Sequence, residues 1–234
     1  MATQNCINTG KPIEVANGGT GRATLTSNGV LVGAATSAIT QLTAGTNGQV
    51  LVGSSAAAPV FATLASTLGT IAYTTGAGTL NLDIAAIPSF FAYRSSTASN
   101  VTGDGTAYTI VHNTEQFDTL GNFNNGTGTF TAPTNGLYCF GAQVVLGDVG
   151  VAHTSMNFYV QLGTGQTYSM AQENPGVTQS AGQLTRAGTV LFTMTAGGTA
   201  NVIVGVSGGT KVVDVLGDAG GGQSIFWGFR ALRT

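Results

Sequence analysis

GTFTAPTNGLYCF, from Gly128 to Phe140, and SIFWGFRAL, from Ser224 to Leu232, decide how this chain folds. The first run reads as a strand, a turn carrying Pro133, and a second strand, because Pro and Asn-Gly supply turn chemistry. The second run is a strand with bulk on both sides. Ile225, Trp227 and Phe229 share one face, and Phe226 and Gly228 share the other. Leu137-Tyr138-Cys139-Phe140, Val144-Val145-Leu146 and Val202-Ile203-Val204 repeat the pattern. A sandwich strand normally alternates, apolar inward and polar outward, so a strand apolar on both faces is covered on both. One facing sheet supplies one cover. The other has to come from a second copy of the chain.

Working outward, strands are expected around 90–94, 108–112, 128–131, 137–146, 157–161, 183–194, 200–206, 211–215 and 224–232, with turn residues between them. No stretch shows a helical period. Many short strands separated by Gly and Asn turns predict an all-β sandwich or barrel.

The two opening runs together resemble the complement-1q/tumour-necrosis-factor superfamily. That family shows a Phe-Thr-x-Pro-x-x-Gly-x-Tyr-x-Phe run and ends on Ser-x-Phe-x-Gly-Phe. The matching residues are Phe130, Thr131, Pro133, Gly136, Tyr138 and Phe140, then Ser224, Phe226, Gly228 and Phe229, with FFAYRS (Phe90 to Ser95) in place of the opening strand. The resemblance covers about the last 60% of the chain. It implies a C-terminal jelly-roll β-sandwich over 89–234 that forms a homotrimer, with Tyr138, Phe140, Phe226, Trp227 and Phe229 in the trimer core or interface.

The first part of the chain reads differently. From Ala23 to Leu82 there is no charged residue after Arg22, and NGVLVG (Asn28 to Gly33) recurs as NGQVLVG (Asn47 to Gly53). GTIAYT (Gly69 to Thr74) is a weaker third copy. A period near 20 marks repeated units, with short strands after each Gly- and Asn-bearing turn. Their apolar side chains are too few to offset the ordering of so many residues, so the repeats need neighbours. Residues 23–88 are therefore read as a β-rich repeat shaft in which three chains share an apolar axis, with disorder as the alternative. VANGGTG (Val15 to Gly21) resembles a motif of phage tail fibres and related fibre proteins, which implies that residues 1–22 anchor or assemble the fibre. As a phosphate cradle it lacks a preceding strand and a following Lys-Ser/Thr pair.

Composition narrows the function further. Charged residues are 7% of the chain and Gly is 36 of 234, which leaves a surface poorly suited to a dispersed monomer. A net charge of −2 gives no electrostatic footprint for nucleic acid. No apolar run reaches the roughly 20 residues that span a bilayer. The N-terminus has no secretory pattern, so the expected location is a virion or extracellular appendage, reached without a signal peptide. Cys139, in an apolar strand, reads as a buried free thiol, and Cys6 has no assigned role.

Catalytic chemistry finds little support. His112 and His153 read as surface or capping residues outside any metal-ligand spacing, and no Gly-x-Ser-x-Gly elbow occurs. Glu115 with Asp118, or Asp214 with Asp218, could pair as carboxylates, though solvated turns explain them equally well. No catalytic residue, and no cofactor, is assigned. Calcium is the one candidate metal, at Asp218 in the loop GDAGGGQ (Gly217 to Gln223). Binding, if any, is expected from loops 95–107, 147–155, 163–182 and 207–222. Tyr168, Gln172, Asn174 and Gln179 form the best cluster for a glycan. The expected protein is a non-catalytic homotrimeric fibre, joined through its N-terminus to other fibre or virion components, whose head recognises a cell-surface glycan or protein. The alternative is a purely structural component whose head trimerises and registers the shaft.

Overall fold

Strand-forming runs and glycine turns give the chain two compact units, Met1–Ala85 and Ala86–Thr234. The computed structural model describes residues 12–67, 69–180 and 182–233, apart from the side chain of Arg233. Cys6 and the first half of the expected anchoring segment lie outside the described residues.

In the first unit the twenty-residue period takes the form of hairpins. β1 (Val30–Val32) pairs with β2 (Thr40–Leu42), β3 (Gln49–Val52) with β4 (Val60–Thr63), and β5 (Ile71–Gly76) with β6 (Thr79–Ile84). Val30 faces Leu42 in the first hairpin, and Val50 faces Ala62 in the second, so the two copies share one register. The third copy departs from it: Gly76 faces Thr79, and Gly78 takes the left-handed conformation (φ 72°) that closes so short a turn. Of the described residues in this unit none is buried, and Leu31, Leu51, Val60, Leu82 and Ile84 are all exposed. Isolated two-stranded hairpins are marginal in water.

VANGGTG forms a compact backbone knot. Val15–Asn17 makes one 3-10 turn, and Gly18 ends it in the left-handed region (φ 81°). Gly19 passes so close to Ile13 that a Cβ would lie 2.0 Å from its carbonyl oxygen. Thr20 O then accepts the Ile39 amide, fastening the knot to the first hairpin.

The second unit is a two-sheet sandwich. Its elements are β7 (Ser89–Tyr93), β8 (Ala98–Thr102), β9 (Ala107–Thr109), β10 (Thr114–Asp118), β11 (Phe123–Asn124), β12 (Thr129–Thr131), β13 (Gly136–Gly147), β14 (Ser155–Leu162), β15 (Thr167–Glu173), the single turn α1 (Pro175–Thr178), β16 (Leu184–Met194), β17 (Thr199–Ser207), β18 (Val213–Val215) and β19 (Ile225–Arg233). Sheet I runs β10-β7-β19-β13-β16, with β18 and β8 beside the end of β13. Sheet II runs β11-β12-β17-β14-β15, with β9 along β17. Let β7, β12, β13, β14, β15, β16, β17 and β19 be the first to eighth principal strands. Sheet I then reads first-eighth-third-sixth and sheet II second-seventh-fourth-fifth, the jelly-roll order.

Each residue of the two opening motifs has a place in this sandwich. Phe130, Tyr138, Phe140 and Phe226 point inward and are fully buried with Phe90, and Phe90 stacks on Phe123 at 4.6 Å. The Tyr138 hydroxyl donates to Thr134 O at 2.8 Å, locking the Pro133 turn to the strand that follows it. Ser224, also buried, donates to Leu216 O and accepts from Val145 N. Gly228 makes room for the aromatic cluster, since a Cβ there would sit 2.5 Å from Phe140 Cδ1 and 3.0 Å from Phe90 Cε1. Tyr138, Phe140 and Phe226, which the resemblance puts in the trimer core or interface, are thus interior to a single chain. Trp227 and Phe229 alone of that set reach the outer face.

Two further expectations are corrected. Residues 167–173 form β15 rather than loop, because this largely polar run (TYSMAQE) gains its partner from β14 and not from its own pattern. The strand expected over 108–112 ends at Thr109, and His112 turns into the core with no exposed surface.

Replacing Gly228 with Ala overpacks this core, at about 1–3 kcal/mol. The loss is read from chemical denaturation followed by Trp227 fluorescence. Gly33→Ala, where nothing lies within 4 Å of the new methyl, should leave the midpoint unchanged.

Candidate functional site

Sheet I fixes one surface of interest. Along β13, the side chains of Leu137, Cys139 and Val145 face away from the sandwich; Cys139 lies between Leu191 on β16 and Phe229 on β19, Gly141 between Thr189 and Trp227, and Ile225 is opposite Gln143. Phe91 and Tyr93 continue this face onto β7. Trp227 lies flat across Gly141, where a Cβ would be 2.1 Å from Cζ2, and stacks beside Phe229 at 7°. None of these residues is charged, yet Leu191 is 55% and Phe229 39% exposed. A shallow groove of about 360 Å³ crosses the face between Gln143, Thr189, Ile225 and Trp227. The outer face of sheet II is mixed, with Asn157, Gln161 and Asn201 on it and the Tyr159–Ile203 pair between them, where Ile203 is buried. Burial pushes the Cys139 thiol pKa up, as an apolar surrounding disfavours the thiolate.

A second surface lies at the end of the sandwich opposite to where the chain enters it. Ser89 pairs with Phe229 and Gly136 with Arg233, so entry and exit share one end, the base. The apex at the other end holds four connections: 103–106, 148–154, 174–183 and 208–212. His153, buried at 3% exposure, ties them together. Its Nδ1 accepts the Gly150 amide at 2.9 Å, and its carbonyl accepts the Gly176 amide at 2.9 Å. Its ring also packs against Gly103 and Gly209, where a Cβ would come within 3.1 and 2.6 Å of Nε2. Hydrogen bonds from Thr106, side chain first and then backbone, hold the Asp104 carboxyl below its usual pKa. His153 is therefore not the surface residue that its sequence context allowed as one of two roles; the capping role is the one its burial leaves.

The glycan cluster expected from sequence is not assembled. Tyr168 lies towards the basal end of β15 and stacks on Phe192 at 4.4 Å, half-buried against the core. Asn174 is at the apical end, roughly 20 Å along at about 3.3 Å per residue, and there it caps α1 by accepting the Gly176 amide. Gln179 accepts the Gly182 amide, and Gln172 is exposed on the strand between. Arg186 and Glu173 form a two-point ion pair between β16 and β15 that closes the sandwich edge.

Three of the four acidic candidates, all but Glu115, are committed to the backbone. Asp118 accepts from Phe123 and Leu120, Asp214 from Asn100, and Asp218 from Gly222. Among the described residues no three His, Cys, Asp or Glu side chains converge on a point a metal could occupy. Among the same residues no helix is long and apolar enough to cross a membrane.

No family model matches the chain, and no curated protein sequence matches it. Solved structures do. The globular domain of zebrafish complement 1qA protein is 17% identical, with 64% of this chain and 100% of that one covered at a TM-score of 0.46. Murine APRIL at pH 8.5 is 10% identical, with 62% and 99% covered at a TM-score of 0.43. Eiger TNF from S. frugiperda is 10% identical, with 63% and 94% covered at 0.41.

His112 sets a pH dependence for the second unit. Burial, and secondarily the charge of Arg94, pushes its pKa from 6.5 to about 3, and neither ring nitrogen has a partner. Above pH 6.5 both folded and unfolded forms are neutral, and the neutral ring is tolerated. Between about 6.5 and 3 the unfolded chain takes up a proton that the folded one refuses, so stability falls with falling pH, by up to about 1.4 kcal/mol per unit. Urea titrations of wild type and His112→Leu across this window should differ by that slope. Parallel curves would show that His112 titrates normally in the fold.

Proposed function

We propose that this protein is a non-catalytic, homotrimeric attachment fibre, carried on a virion or similar appendage, whose jelly-roll head meets the target cell. The observation that carries the reading is the apolar centre of the outer face of sheet I, over β13, β16 and β19. Soluble monomers seldom expose a contiguous apolar patch of this kind, and such patches mark interfaces. Its centre, Trp227 over Gly141 beside Phe229, has the aromatic composition that dominates interface energetics. Three identical faces turned towards one axis cover one another in a closed symmetric assembly.

The first unit supports the same assembly. Hairpins with no buried residue among those described and with a Leu exposed in every copy gain a core when three chains supply one another's cover. The likeness of VANGGTG to fibre proteins agrees with this. Three heads on one shaft would convert weak single contacts into avidity. The coreless hairpins also favour a second reading, in which the head serves only to trimerise and register a structural shaft. Cell binding separates the two.

Sedimentation equilibrium of the full chain should give three times the 23.4 kDa chain mass, persisting on dilution to about nanomolar concentration, the regime of a tight obligate interface. The double variant Trp227→Glu, Phe229→Glu should sediment as a monomer while keeping its β-type circular dichroism. A wild-type protein that sediments as a single chain would remove the basis of the proposal.

A further inference from the structure

We infer that Asn47 is a site of spontaneous covalent modification, where the Gly48 amide nitrogen displaces the Asn47 side-chain nitrogen and water opens the resulting succinimide to aspartate or isoaspartate. Five Asn-Gly pairs occur in the chain, at Asn17, Asn28, Asn47, Asn125 and Asn135. Such pairs react because glycine, having no Cβ, lets its nitrogen swing onto the Asn Cγ. The fold ranks the five by what holds the attacking amide. Gly18 N donates to Val15 O, Gly29 N to Thr26 O, and Gly126 N to Asn124 Oδ1. Gly136 is buried in β13, and Asn135 Oδ1 accepts the Ala196 amide at 2.9 Å. At Asn47 the amide that closes the turn belongs to the next residue, Gln49, which donates to Thr46 O at 3.1 Å. Asn47 is exposed, and among the described residues neither its side chain nor the Gly48 amide has a hydrogen-bond partner.

Comparing the two clear copies of the repeat gives the cause. NGVLVG and NGQVLVG differ by one inserted residue, Gln49. In the first copy the bond from Gly29 to Thr26 closes the turn, with Asn28 in the left-handed region (φ 58°). In the second copy Gln49 takes over that bond, and its Oε1 also accepts Thr46 N at 2.8 Å. Gly48 then occupies the left-handed position (φ 80°), the third place of a type II turn, which calls for glycine. A Cβ there would lie 2.0 Å from Thr75 Cγ2, so the position keeps the residue that makes the pair labile. In the first step the Gly48 N–H proton passes to hydroxide, the nitrogen bonds to Asn47 Cγ, and the Cγ–Nδ2 bond breaks with release of ammonia. In the second step water adds to either ring carbonyl and reopens the ring. Water is the only co-reactant. Either product places a carboxylate in the stretch from Ala23 to Leu82, which carries no charge. Isoaspartate also lengthens the main chain just ahead of β3, where Gln49 faces Thr63.

The test holds the full-length protein at mildly alkaline pH, samples it over time, digests each sample with pepsin in acid, where the reaction is slow, and maps the peptides by mass spectrometry. Isoaspartate is scored by labelling with an isoaspartyl methyltransferase. The peptide bearing Asn47 should convert at least about fivefold faster than those bearing Asn17, Asn28, Asn125 and Asn135, the factor that one net hydrogen bond is worth. In concentrated urea the five rates should converge, because the ranking comes from the fold. Asn47→Gln alters an exposed side chain with no partner, so it should keep the wild-type melting temperature and lose the main acidic form on isoelectric focusing. Conversion of Asn47 no faster than Asn28 in the folded protein overturns the assignment. The same ranking in urea as in native buffer overturns the role given to the turn, and an undiminished acidic form in Asn47→Gln overturns the site.

Discussion

Strands β13 and β19 lie side by side in the middle of sheet I and carry apolar side chains on both faces, so the sandwich interior can satisfy only half of them. Inward, Tyr138, Phe140 and Phe226 close on Phe90 and Phe130 in a cluster of ring contacts between 4.9 and 6.3 Å. Outward, Leu137, Cys139, Trp227 and Phe229 form a second apolar layer, in which Phe229 stays 39% exposed while Cys139 is buried. Both glycines of this region follow from the same pressure. Gly228 yields space to the inner rings and Gly141 to the outer indole. A side chain at either position would push one aromatic layer off the sheet.

Much of the fold was legible because its determinants are local. Pro133, Asn135 and Gly136 define a turn, and alternation in SIFWGFRAL defines a strand, whatever surrounds them. The face each side chain uses was less legible. Period-two reasoning placed Phe226 opposite Trp227 correctly, but it could not say which of the two faces the sandwich interior would claim. Tyr138, Phe140 and Phe226 therefore read only as trimer core or interface, and in the fold they are interior to a single chain. β15 escaped recognition for a related reason. Its residues alternate weakly, and its pairing with β14 is a property of the hairpin and not of its composition.

The apex was legible only in outline. Loop segments could be recognised from Gly, Asn and Ser content, but sequence does not reveal that 103–106, 148–154, 174–183 and 208–212 meet. The signal that joins them is His153, which in a linear reading is one polar residue before a threonine. Its importance comes from burial, with its carbonyl and Nε2 answered by two other loops while its amide and Nδ1 turn back to Gly150 in its own. His112, with a similar linear context, has the opposite fate. It is buried without a partner between Phe226 and the neighbourhood of Arg94, where it carries an acid liability in place of a connection.

The two units meet the same shortage of polar surface in different ways. In the head, two sheets cover each other and leave one apolar face over. In the hairpin unit, pairs such as Val30–Leu42, Val50–Ala62 and Tyr73–Leu82 stand on two-stranded ribbons with no second layer among the described residues. Backbone hydrogen bonds fix the register of these ribbons, and glycine contacts such as Gly48 against Thr75 space them. Neither supplies the buried apolar area that stabilises a fold. A sequence that keeps Val-Leu-Val triplets in register over two copies, without giving them an intrachain core, is consistent with a core made between chains. That requirement matches the one posed by the outer face of sheet I, although the two regions share no motif.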